Sequence, residues 1–299
     1  MAELLPNFLV VGFAKCGTTS LVNKLSDHNQ IFIPKEKELR YFTYEFLKNS
    51  GYKGPGDYRP KRLAVKTVED YKKKFDISKE FKSIGEASTD ISFYYKQTIP
   101  KIKTLLDDPK IIIMLRNPTD RAISAYSHLI REERETLSFE EALNIENERI
   151  KSGYEFIWGY EKASCYYESV KAFKENFSQV HIVFFEDFIT HSEIEIQKIL
   201  NFLGVENSIS SSTSHHNKTG KPKNIYLNRF LNRKLWIKEL LKKLIGEKIS
   251  LEIKEKLQRK NLSKVSIDDE IKSKLNSKFN HDILNLEKLL DENLSHWKQ

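Results

Sequence analysis

The stretch from Phe8 to Leu25, "FLVVGFAKCGTTSLVNKL", constrains the fold more than any other. A short apolar run leads into a turn bracketed by Gly12 and Gly17. Hydroxyl residues then open an amphipathic run in which Leu21, Val22 and Leu25 share one face. Strand, tight loop and helix follow from this pattern, with small residues that let backbone N–H groups approach an anion at a helix N-terminus. Glycines alone would serve an ordinary strand-to-helix turn equally well; Lys15 and the hydroxyls of Thr18, Thr19 and Ser20 favour phosphate. In a nucleoside-triphosphate loop the lysine follows the second glycine. Here that position is Thr18, and the lysine stands earlier.

Further apolar runs at Ile31 to Ile33, Ile111 to Leu115 and Val180 to Phe185 read as strands, alongside Phe8 to Val11. Helical spacing recurs after Pro118, through Ala122, Ile123, Tyr126 and Leu129. The alternation predicts an α/β, P-loop-like three-layer fold: a mostly parallel sheet flanked by helices, with ligands bound where strands end and helices begin. Residues 41–81, rich in lysine, tyrosine, glycine and proline, read as an irregular insertion beside the site. Residues 225–299 read as packing helices of the same single domain, 1–299.

The formal net charge of +8 is compatible with an anionic partner without identifying one. Two cysteines, Cys16 and Cys165, cannot build a disulfide framework, and a reducing compartment is expected. The opening "MAELLPNFLVVGF" lacks the basic start of a signal peptide, and no run reaches the roughly 18 apolar residues of a membrane span. A cytoplasmic, bacterial protein without an integral membrane segment is the expectation.

A second motif narrows the ligand. The strand "IIIMLRNP" delivers Arg116 where a triphosphatase would offer an aspartate to organise magnesium, so an anionic group is expected there and no metal. Taken together, "GFAKCGTTSL" resembles the 5′-phosphosulfate loop of sulfotransferases that use 3′-phosphoadenosine 5′-phosphosulfate (PAPS), and "LRNPTDRAISAY" resembles their 3′-phosphate motif. The resemblance lies closest to the carbohydrate and bacterial branch. It extends more weakly through "VFFEDF" and "ILNFLGV" to "LSHW".

The resemblance implies that Lys15, Gly17, Thr18, Thr19 and Ser20 hold the 5′-phosphosulfate, and that Lys15 neutralises charge on the bridging oxygen as the sulfuryl group departs. It assigns the 3′-phosphate to Arg116 and Ser124, eight positions apart. "IPKEKELRYF" resembles the family's glutamate segment and maps the catalytic base to Glu38, with Arg40 where several relatives have histidine. Lys35 becomes a candidate for donor or acceptor contact. A solvated turn in which Glu36 and Glu38 balance Lys35 and Lys37 is the plain alternative. His128, one helical turn beyond Ser124, is the rival base or an acceptor contact. "IGEASTDISFYY" resembles an acceptor-side segment, which nominates Glu86 and Ser88, although Ala87 and Thr89 replace the family's lysine and proline. Lys218, Gly220 and Lys221, in "HHNKTGKPKN", are candidates to cover the nucleotide.

The expected activity is sulfuryl transfer from PAPS to a hydroxyl or amine, with a glycan or glycolipid as acceptor and partner and no nucleic acid. A small alcohol, phenol or peptide tyrosine is the alternative acceptor. A nucleotide kinase with a variant loop and a non-catalytic polyanion-binding module are the competing classes. Cys16 receives no role.

Overall fold

A computed structural model describes residues 4–77, 80–207, 221–222, 262–263 and 266–298. Five strands form one sheet: β1 (Phe8–Val10), β2 (Ile31–Phe32), β3 (Ser83–Ala87), β4 (Lys110–Leu115) and β5 (Val180–Phe184). Their order across the sheet is β2-β3-β1-β4-β5, and every pairing is parallel. Parallel strands need crossover segments that cover both faces, so central strands are apolar throughout. β1 and residues 111–115 of β4 are buried accordingly.

The predicted strands at residues 8, 31, 111 and 180 are all present, to within a residue or two at their ends. β3 is an addition. Ser83, Gly85 and Glu86 interrupt its apolar run, which is why periodicity does not mark it, yet it lies directly beside β1 and is buried along its whole length. A side chain at Gly85 would place its Cβ 2.1 Å from the Phe8 ring, so glycine permits the close packing of these neighbours.

Residues 41–81, read as irregular, contain three helices: Tyr41–Ser50, Tyr58–Leu63 and Val68–Lys73. Stacked and edge-on rings join the first and third of them: Tyr41 stacks on Tyr71 at 4.5 Å, and Phe42 and Phe75 meet Tyr71 edge-on. The helix Asp269–Leu290 buries Leu275, Phe279, Ile283 and Leu286, in keeping with the packing role expected for this part of the chain. A following turn at Ser295–Lys298 buries Trp297, whose indole meets Phe184 at the end of β5 and Tyr166. Among the described residues, no helix is long and apolar enough to cross a membrane.

Candidate active site

The C-terminal ends of all five strands open toward one cavity of about 610 Å³. β1 contributes the loop with Ala14, Lys15 and Gly17, and the helix Thr18–Ser26 starts at its edge. β2 is followed by Lys37, Glu38 and Arg40, β3 by Thr89, β4 by Arg116 and β5 by Phe185. Ser124 and His128 reach the cavity from the helix Pro118–Arg131.

The loop after β1 adopts its shape through left-handed residues. Gly17 caps the helix at φ +93°, and a Cβ there would lie 2.6 Å from the Phe185 ring. Lys15 is also left-handed, at φ 75°, a conformation that L-residues other than glycine adopt at a cost. Arg121 fixes the loop from below. Its fully buried guanidinium donates to Ala14 O at 3.0 Å and to the carbonyls of Gly159 and Tyr160 at 3.0 and 3.3 Å. Cys16 points the other way, into the core, with its sulfur 3.9 Å from the Tyr166 hydroxyl, and burial raises its thiol pKa to about 11.

One end of the cavity is strongly cationic. Arg116 spans the loop by donating to Lys15 O at 3.3 Å and stacks over Phe185 at 4.7 Å, and its backbone carbonyl accepts from Tyr166. Its Nε is buried without a hydrogen-bond partner among the described residues. Burial, followed by repulsion from Arg131, Arg116 and Arg121, lowers the Lys15 pKa to about 7. His128 feels the same field: burial first, then the charge of Lys15, holds it well below the usual histidine range. Its Nδ1 lies 2.9 Å from Arg131.

The opposite wall holds the carboxylates. Glu38, left-handed at φ 59°, accepts from the Thr89 backbone N–H at 3.0 Å and from the Thr89 hydroxyl at 3.0 Å. Burial raises its pKa, and the neighbouring Arg40 charge opposes that rise. Lys37 links the two walls by donating to the Thr19 hydroxyl at 2.9 Å; burial lowers its pKa, and Glu38 works in the opposite direction. Arg40, again left-handed at φ 55°, forms ion pairs with Glu155 at 2.8 Å and Asp90 at 3.7 Å. Burial disfavours its charge, but Glu155, Asp90 and Glu38 outweigh that effect and hold its pKa above the ordinary value.

Sequence candidates divide on this geometry. Lys15, Gly17, Thr18, Thr19, Ser20, Glu38, Arg40, Arg116, Ser124 and His128 line the same cavity. Lys35 is exposed, outside the lining. Glu86 and Ser88 also lie outside it: Tyr71 and Ser88 donate to the buried Glu86 carboxylate at 2.5 and 2.7 Å, while Ser88 accepts from Arg40 N at 3.3 Å. Burial lifts the Glu86 pKa to about 7 against those two hydrogen bonds. This network supports the Arg40 turn from beneath. Lys218 and Gly220 fall outside the described residues, and the Lys221 backbone forms a short antiparallel pair with Ser263.

Sequence reasoning missed Lys37, Arg121, Phe185, Arg134, Glu155, Phe156 and Ile157. The first three stand inside the quoted motifs and could have been weighed there. The others reach the site by long-range packing, with no local signature. Among the described residues, no group of histidine, cysteine and carboxylate side chains is arranged to hold a metal ion.

A profile of the Sulfotransferase family matches residues 6–208. Over 132 residues the chain is 35% identical to membrane-associated sulfotransferase kil1 of Dictyostelium discoideum, covering 42% of this chain and 24% of that protein. Over 238 residues it is 24% identical to heparan sulfate glucosamine 3-O-sulfotransferase 5 of Homo sapiens, covering 77% of this chain and 61% of that enzyme. The crystal structure of a sulfotransferase from Alicyclobacillus acidocaldarius matches with a TM-score of 0.79 at 32% identity, over 99% of this chain and 100% of that one. The fold is therefore shared along the chain, the profile spans the phosphate loop, the Arg116 strand end and the Glu38 turn, and the protein belongs to the sulfotransferase family.

Proposed function

We propose that this protein transfers a sulfuryl group from PAPS to a hydroxyl or amine of a glycan or glycolipid, with Glu38 as the base. One observation carries the reading: a cationic cluster around Lys15 and Arg116 and the half-buried carboxylate of Glu38 line one and the same cavity.

The cationic end fits the donor. Arg116 Nε lacks a partner among the described residues, and the repulsion that depresses Lys15 would be relieved by an anion. Thr18, Thr19 and the free N–H groups of the first helical turn suit the 5′ side, and Arg116 with Ser124 suits the 3′-phosphate. When bound, the donor supplies an electrophilic sulfur attached to a phosphate leaving group. Lys15, once charged by the anion beside it, offsets the negative charge that develops on that phosphate. Glu38 accepts the proton of the attacking hydroxyl at a carboxylate oxygen, and the two Thr89 hydrogen bonds fix the direction of that oxygen. Its raised pKa, the result of burial, makes it a stronger base than an exposed glutamate. His128 is the poorer base by position, because it stands beside Lys15 at the cationic end.

Calorimetric titration of the wild type and of Glu38→Gln tests both halves. 3′-Phosphoadenosine 5′-phosphate should bind at least a hundredfold more tightly than adenosine 5′-phosphate to both proteins, whereas transfer should fall by a factor of about 10² or more in the variant alone. Equal affinity for the two nucleotides would sink the Arg116 and Ser124 assignment, and an active Glu38→Gln would move the base to another residue.

A further inference from the structure

The two ends of the cavity differ in how their charges are balanced, and that difference bears on the acceptor. At the donor end, Arg116 has only a long ion pair, 3.8 Å, to the exposed Asp120, and Lys15 stands among like charges. At the other end each guanidinium is already matched: Arg40 by Glu155 at 2.8 Å, Arg134 by Asp57 and by Glu155 at 3.2 Å, and Arg59 by Glu132 at 3.3 Å. Lys37 is turned toward Thr19 on the donor loop. Glu38 adds a further carboxylate. The guanidinium groups that line this end of the cavity are therefore each offset by a carboxylate.

A polyanion could recruit these guanidinium groups only by breaking their pairs. That would strip Asp57 and Asp90, both fully buried, of their guanidinium partners and leave them only neutral hydrogen-bond donors, which is a costly arrangement. The wall between the ion pairs is apolar, formed by Phe156 and Ile157 inside and by Pro60 and Leu63 toward the opening. Leu63 is 70% exposed and Tyr58, on the same short helix, is 60% exposed. An exposed leucine that continues this apolar wall to the opening is stabilised by contact with hydrocarbon.

We infer that the acceptor is an uncharged amphiphile, a hydroxyl-bearing head joined to a hydrocarbon tail that lies along Pro60 and Leu63, and not a polyanionic glycan. The inference rests on the sulfotransferase reading above and names the acceptor class for that same site. The head would meet Glu38 in the interior, and the tail would leave through the apolar rim.

The test uses PAPS as donor with three acceptors: octyl β-D-glucoside below its critical micelle concentration, glucose, and a heparan sulfate hexasaccharide. Binding of 3′-phosphoadenosine 5′-phosphate is measured first. The expected result is transfer to octyl glucoside with kcat/KM at least tenfold above that for glucose and for the hexasaccharide. Leu63→Ser should raise KM for octyl glucoside at least threefold at unchanged nucleotide affinity, and Leu63→Met should restore it. A preference for the hexasaccharide, no advantage of octyl glucoside over glucose, or no transfer to octyl glucoside by a protein that binds the nucleotide would overturn the acceptor inference alone. Failure to bind the nucleotide would remove the sulfotransferase reading, and the inference with it.

Discussion

Burial, and then the charges of Arg131, Arg116 and Arg121 with Glu132 as a weaker counterweight, lowers the Lys15 pKa from 10.5 to about 7. Two consequences differ in sign. For folding, the unfolded chain binds the proton more strongly between those values, so this residue's penalty is full below about pH 7 and fades as pH rises toward 10.5. For ligand binding, the charged form is the one an anion selects. Affinity for 3′-phosphoadenosine 5′-phosphate should therefore fall from pH 7 to 9.5, by up to tenfold per unit. Titrations at a series of pH values should show this slope in the wild type and a weaker, flatter dependence in Lys15→Met. A flat wild-type profile would mean that Lys15 does not meet the phosphates.

The helix Pro118–Arg131 connects the two regions proposed to bind phosphate, because Arg116 precedes its N-cap Asn117, Ser124 and His128 line the cavity, and Arg121 grips the first loop. Much of this was legible in the sequence, since loop, strand end and helix start are local motifs whose residues act within a few positions of one another. Arg121 was not, because its role depends on the carbonyls of Gly159 and Tyr160, far along the chain. Arg121→Lys should strip several buried carbonyls of their donor and cost on the order of 3 kcal/mol in denaturant unfolding. Nucleotide affinity should drop at least tenfold alongside it. A variant with reduced stability and full affinity would show that the loop holds its shape unaided. β3 escaped sequence reasoning for a related reason: its buried Glu86 is tolerated only because Tyr71 and Ser88 satisfy it, and both the charge and the glycine beside it read as loop.

In the molecule as a whole, the side of the cavity proposed for the donor is written in short motifs, whereas the side proposed for the acceptor is assembled from segments around residues 37–40, 59–63, 134 and 155–157. Periodicity and spacing carry no information about which distant segments will meet, so the paired guanidinium groups there read simply as positive charge. Distant segments also brace the donor side. Asn117 Nδ2 reaches Trp297 O across 180 positions of sequence, and the Trp297 indole closes over Phe184. Trp297→Ala should cost about 3–5 kcal/mol by opening a cavity in that contact. It should also weaken nucleotide binding, as unfolding curves and calorimetry on one preparation would reveal; unchanged binding would detach the brace from the site.

Lys15, Glu38 and Arg40 share the left-handed backbone described for each, and none is glycine. Each such residue disfavours the folded state by roughly 1–2 kcal/mol relative to a relaxed conformation. A change to glycine or asparagine at any of them would ease the chain while deleting a reactive group. Backbone ease and the side chains that line the cavity therefore pull against each other at these positions, so a variant that relaxes the chain there gains stability only by giving up what the cavity displays.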